Sequence, residues 1–116
     1  QIGYLNAHGT ATHKGDIAEA CAIRAVFGGL PVTVSSTKGA TGHMMGAGGL
    51  TEVITCVQAI RTGMLPPSLC LTEQDPACPL HLTGPTAVQQ PVHAAISNAM
   101  GFGGQNSCIV VGRYQE

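Results

Sequence analysis

The chain has 116 residues, 44% of them hydrophobic and only 9% charged, with a formal net charge of −1. That length suits one small domain, and so apolar a composition excludes a disordered tail, while five Lys and Arg scattered along the sequence exclude the basic stripe of a nucleic-acid footprint. A free domain normally carries about a quarter charged residues, so the deficit predicts an outer surface that faces more protein.

No apolar run reaches the roughly 18 residues of a spanning helix, so no membrane span is expected. The start Gln1-Ile2-Gly3-Tyr4 is neither a signal peptide nor an initiator sequence, and the chain is expected to begin inside a larger protein. The five cysteines, Cys21, Cys56, Cys70, Cys78 and Cys108, are odd in number and form no C-x-x-C pair, which argues against a zinc site or a disulfide framework. Cys21 and Cys56 fall in apolar helical patterns and are expected to be small buried hydrophobes. Free thiols suit a reducing compartment, the cytoplasm or an organelle matrix.

Ile2 to Asn6 is a short apolar run ending at His8-Gly9-Thr10, which predicts a buried strand that delivers a histidine to its C-terminal edge. Asp16 then precedes Ile17, Ala20, Cys21 and Phe27 at helical spacing, with a stop at Gly28-Gly29; the helix is expected from about 15 to 27. Pro31 to Ser35 reads as a second strand, and Ser36 to Gly42 as a polar loop. The next helix is expected from about His43 to Arg61, burying Leu50, Val53, Ile54 and Val57 at i, i+3, i+4, i+7. Gly46, Gly48 and Gly49 each cost about 1 kcal/mol against Ala inside a helix, which suggests either close backbone packing or access for a slender ligand.

Met64 to Pro91 reads as a long surface connection with a brief strand at Leu80-His81-Leu82. Val92 to Ser97 and Ser107 to Val111 form two apolar strands joined by Asn98 to Asn106, short enough for an antiparallel pair. Two strand-helix units followed by a strand pair give an α/β fold whose sheet is mostly parallel with an antiparallel edge. Sites in such sheets gather at the C-terminal ends of strands, where His8, Lys38, His43 and the Phe102 turn all fall.

Two imidazoles, an ammonium group and a glycine-rich turn suit polarisation of an oxygen or stabilisation of an anion. Each has a plainer reading: a hydrogen-bonded structural histidine, or a tight hairpin at Gly101-Phe102-Gly103-Gly104. Glu52 is the one acid in an apolar stretch. It is either a buried carboxylate that needs Lys38 or a cation as its partner, or a solvated surface group.

Three segments, Asn6-Ala7-His8-Gly9-Thr10-Ala11-Thr12, Ser35 to His43 and Ser97 to Asn106, resemble in wording, order and spacing the three C-terminal signatures of the beta-ketoacyl-[acyl-carrier-protein] synthases. The likeness covers nearly the whole chain. It implies an incomplete C-terminal half of a thiolase-like α-β-α-β-α sandwich, one domain segment over residues 1–116 that pairs with a first half and works as a homodimer. It also implies decarboxylative condensation of malonyl-carrier protein with an acyl thioester in fatty-acid elongation. His8 and His43 would then complete a Cys-His-His triad, Lys38 would meet Glu52, and Phe102 would gate the acyl pocket and join the oxyanion hole. Thr10 and Thr12, with Gly101 and Gly103, would line the path of a phosphopantetheine arm carried by acyl carrier protein. No resident cofactor is required, and a structural cation, where present, would sit near Asn6, Ala7, Glu52, Ser97 and Asn98. The family's nucleophilic cysteine belongs to the first half, none of the five cysteines here has its neighbourhood, and the segment alone is expected to be inactive.

Two rivals share the resemblance: the ketosynthase of a modular polyketide synthase, and a noncatalytic partner of the chain-length-factor kind. The Ser36-Thr37-Lys38 and Met44-Met45-Gly46 wording favours the discrete fatty-acid enzyme, and retention of both histidines favours catalysis. A nucleotide-binding reading of Gly46 to Thr51 fails, because Thr stands where the dinucleotide fingerprint needs Gly or Ala.

Overall fold

Tyr4, Leu5 and Asn6 form strand β1 (Tyr4–Asn6), and all three are buried because both faces of the strand are covered. The computed structural model describes residues 1–114. Helix α1 (His13–Phe27) follows, then β2 (Thr33–Ser35), a one-turn helix α2 (Lys38–Thr41), and helix α3 (Gly48–Thr62) entered through a 3₁₀ turn at Met45–Ala47. Two short strands, β3 (Met64–Leu65) and β4 (Val88–Gln89), bracket a long connection before β5 (Ala94–Met100) and β6 (Asn106–Gly112).

The main sheet has the order β2-β1-β5-β6. β1 runs parallel to both neighbours, with Asn6 opposite Ser35 and Ser97, while β5 and β6 pair antiparallel from Ala94↔Gly112 to Met100↔Asn106. The expected mostly parallel sheet with an antiparallel edge is therefore present. Alternation along β1 divides the core between two faces. Tyr4 joins Cys56, Ile60 and Ala95 under α3, whereas Leu5 joins Ile23, Val34 and Ile96 under α1. Leu82 forms a lone parallel bridge to Val34, which is the brief strand expected at residues 80–82.

Five expectations are corrected. The polar loop after β2 contains α2, because Thr37 turns back and its carbonyl accepts from the Ala40 and Thr41 N–H groups. The following helix begins at Gly48 rather than His43: Gly42 at φ 71° and Met45 at φ 50° cannot continue a right-handed helix. Asn98 to Met100 pair within β5, so the hairpin connection is only Gly101 to Gln105. Cys21 is exposed on the outer side of α1, whereas Cys56 is fully buried as expected.

The fifth correction concerns α3. Its buried side is Gly48, Glu52, Cys56, Ala59 and Ile60, laid against the sheet, while Leu50 and Ile54 are 69% and 52% exposed and Val57 is exposed beside them. The i, i+3, i+4 pattern thus marked a real apolar stripe but not the one this sheet covers. Both sides of α3 are apolar, and a helix apolar all round belongs in the middle of a larger protein. An added Cβ at Gly46 or Gly48 meets no described atom within 4 Å, and one at Gly49 meets Ala99 Cβ at 3.9 Å, an ordinary contact.

Candidate active site

The three parallel strands end on one edge. β1 runs out into His8, β2 into Lys38, and β5 into the Phe102 turn. The loop after β1 is fixed by Glu19, a buried acid on the sheet side of α1. Its two carboxylate oxygens accept from the backbone N–H of His8 (2.9 Å) and Gly9 (3.0 Å), and Oε1 also accepts from Asn98 Nδ2 (3.2 Å). One carboxylate therefore ties the histidine loop to β5. Nothing in the three sequence signatures singled it out; the signal available was an acid next to Ala20 on the face that also carries Ile23.

Gly9 sits at φ 43°, and a Cβ there would fall 2.7 Å from Ser36 Cβ. Gly9→Ala is expected to lower stability by about 1–3 kcal/mol, measured by urea unfolding, because backbone strain adds to a contact that cannot relax freely.

His8 and His43 meet edge to face, with ring centroids 5.5 Å apart and planes at 86°. His43 lies in the open loop before α3, and its Nδ1 accepts from the Met45 backbone N–H (3.2 Å). With Nδ1 an acceptor, the neutral ring carries its proton on Nε2, which is left free to donate outward. His8 has its Nδ1 buried without a partner among the described residues. Burial lowers its pKa below the ordinary histidine value, and the Lys38 charge lowers it further, which favours the neutral ring. Two imidazoles side by side, each in its neutral form, can both donate to a single oxygen without bringing formal charge of their own.

Lys38 and Glu52 form an ion pair with side chains 8% and 4% exposed. The acid in the apolar stretch is thus buried and partnered by Lys38, and the pair sits within electrostatic reach of His8. At the hairpin, Gly103 (φ 78°) and Gly104 (φ 80°) allow a tight 3₁₀ turn that leaves Phe102 92% exposed. Gly101 N–H donates to the Gln105 carbonyl (2.7 Å), closing that turn. Thr10 and Thr12 continue from His8 along the same loop, and Thr12 is the N-cap of α1 without a side-chain cap bond.

Around the expected cation locus, Asn6 Oδ1 is buried and has no hydrogen-bond partner among the described residues, and Ser97 lies opposite Asn6 in register. The other groups are engaged: Glu52 by Lys38, the Asn98 amide by Glu19, and the Ala7 N–H by the Ser35 carbonyl. Among the described residues no three His, Cys, Asp or Glu gather as a metal site. Cys56 is no nucleophile in this geometry, since burial pushes its thiol up to about 11. A cavity of about 600 Å³ opens between α1 and the 68–82 segment, but neither imidazole lines it.

Residues 1–72 match the family model described as beta-ketoacyl synthase, C-terminal domain. The chain is 44% identical over 117 residues to the chloroplastic 3-oxoacyl-[acyl-carrier-protein] synthase II of Arabidopsis thaliana, covering 99% of this chain and 22% of that protein. Among solved structures, the ishigamide ketosynthase/chain length factor superposes with a TM-score of 0.94 at 36% identity, over 98% of this chain and 28% of that one. A type II polyketide ketosynthase bound to its acyl-carrier protein superposes with a TM-score of 0.93 at 28% identity, again over 98% and 28%. The chain thus spans about a quarter of the length of the proteins it matches. Among the described residues no helix is long and apolar enough to cross a membrane.

Proposed function

We propose, from the premise that this chain belongs to the beta-ketoacyl synthase C-terminal domain family, that it supplies the decarboxylation half of a 3-oxoacyl-[acyl-carrier-protein] synthase site. The observation that carries the reading is the edge-to-face contact of two histidines beside a buried Lys38–Glu52 pair. In the reaction, the bond between the malonyl carboxylate and the α-carbon breaks, carbon dioxide leaves, and its bonding electrons pass into an enolate. His8 and His43 donate N–H to the thioester oxygen on which that negative charge collects. The carbanion then attacks an acyl thioester held on a cysteine outside this chain, a carbon-carbon bond forms, and the thiolate leaves as the 3-ketoacyl product is released.

Thr10 and Thr12 hold the phosphopantetheine arm, Gly101 and Gly103 shape the turn, and Phe102 gates the acyl path while its N–H faces the second oxyanion. Lys38 and Glu52 set the field around His8. The partner is an acyl carrier protein; the ketosynthase neighbour solved with its own carrier protein supports this. The exposed Leu50–Ile54–Val57 stripe packs against the nucleophile-bearing part of the synthase, which functions as a homodimer in the cytoplasm or an organelle matrix. No resident cofactor takes part. Asn6 and Ser97 would be the first oxygens to meet a structural cation, which would balance local charge and carry no step.

The chain-length-factor rival gains from the ishigamide neighbour, whose chains include such a factor. The paired imidazoles favour the catalytic reading. The deciding experiment exchanges this chain for the matching quarter of the Arabidopsis synthase and follows carbon dioxide release from malonyl-carrier protein. Release within about tenfold of the parent supports the proposal; a folded hybrid that releases none defeats it.

A further inference from the structure

Met45 combines three features. It is 65% exposed, it adopts φ 50° although it is not glycine, and its backbone N–H is the donor that holds His43 Nδ1. Met44, its neighbour, is 38% exposed, and its sulfur accepts from the Thr51 hydroxyl (3.7 Å). A thioether is the side chain most readily oxidised by peroxide after a thiolate. Met45 lies two residues from His43 on the same loop, so, given the proposed role of His43, a passage that admits substrate to that ring also brings a molecule as small as hydrogen peroxide to this loop.

We infer that Met45 is an oxidation site that couples peroxide to the state of His43. The sulfur attacks one peroxide oxygen, the O–O bond breaks, a sulfur–oxygen bond forms, and water leaves; sulfur loses two electrons and peroxide gains them. The product is polar and carries a strong acceptor oxygen on a residue already held in a conformation costly for a side chain. The new oxygen draws the 43–46 segment into a different turn, the Met45 N–H leaves Nδ1, and the ring is no longer locked as the Nε2–H donor. The functional consequence rests on the proposed role of His43; the chemical event does not.

Hydrogen peroxide treatment of the full-length protein, followed by a thiol reductant to reverse cysteine oxidation, isolates the methionine event. Peptide mass mapping should find Met45 sulfoxide forming before that at Met44, at Met64 on β3 (41% exposed) or at half-buried Met100. The ¹⁵N imidazole spectrum should show His43 moving from one tautomer to a mixture as Met45 oxidises. Malonyl decarboxylation should fall roughly tenfold, the loss of one aligned hydrogen bond, and a methionine sulfoxide reductase should restore it. Met45→Leu, compared with its own untreated rate, should resist. Met45 oxidising no faster than Met64, an unchanged His43 spectrum at full Met45 oxidation, or peroxide loss in Met45→Leu at the parental rate would each overturn the inference. Absence of decarboxylation before any treatment would instead count against the proposed function, with the mapping and the spectrum still deciding the site.

Discussion

Under the proposed function, His43→Ala should lower malonyl-carrier-protein decarboxylation by about 10²–10³-fold in the intact synthase, read as carbon dioxide release, while leaving unfolding midpoints nearly unchanged. The size follows from removing one preorganised donor from a developing oxyanion. The small effect on stability follows from position: His43 is exposed, stands outside the helix, and its one side-chain hydrogen bond among the described residues is to the Met45 N–H, which solvent can satisfy in its place. A Gln at the same position, able to donate but placed differently, should recover part of the rate. Undiminished decarboxylation in a folded His43→Ala protein would remove this chain from the decarboxylation step.

The second large effect concerns stability. Glu52→Gln should cost about 3–5 kcal/mol in urea unfolding, because it strands the Lys38 ammonium in a site almost closed to water. The pair itself is a weak source of net stability, since desolvating two ions offsets most of their attraction. Hence the double variant Lys38→Met, Glu52→Leu should be far closer to the parent than Glu52→Gln alone. The single change also carries an electrostatic signature. Glu52 raises the His8 pKa and Lys38 lowers it, so deleting the carboxylate charge drives His8 further below its ordinary value, measurable by NMR titration. A Glu52→Gln protein with parental stability would mean that the pair is open to solvent.

The elements of this fold were legible wherever period and punctuation agreed. β1, α1 and the β5–β6 hairpin announced themselves through short apolar runs, helical spacing up to Gly28 and a glycine-rich turn. The start of α3 was not, because a local break at Gly42 and Met45 depends on backbone conformations that an apolar pattern does not encode. The face of α3 was misread for a different reason. Periodicity finds stripes, and this helix has two; which of them meets the sheet is a tertiary matter settled by small residues, Cys56 and Ala59, packed with Ala95 of β5.

At the site, His8, His43, Lys38 and Glu52 were readable because chemistry-bearing residues stood at strand ends or alone among apolar neighbours. Their mutual contact follows from two parallel strands of equal phase, Asn6 opposite Ser35, which bring the loops beyond them level. Glu19 escaped notice because its work is done on backbone N–H groups, which leave no trace in the identity of the residues they belong to.

The order β2-β1-β5-β6 leaves one flank of β6 without a hydrogen-bonded neighbour among the described residues, and from Asn106 to Gly112 that strand carries no charge and no proline. Such a rim lacks the features that keep sheets from growing sideways onto one another. Produced on its own, this polypeptide would stack laterally through that rim and come out of solution, and a lysine introduced at Val110 would be the simplest way to keep it dispersed.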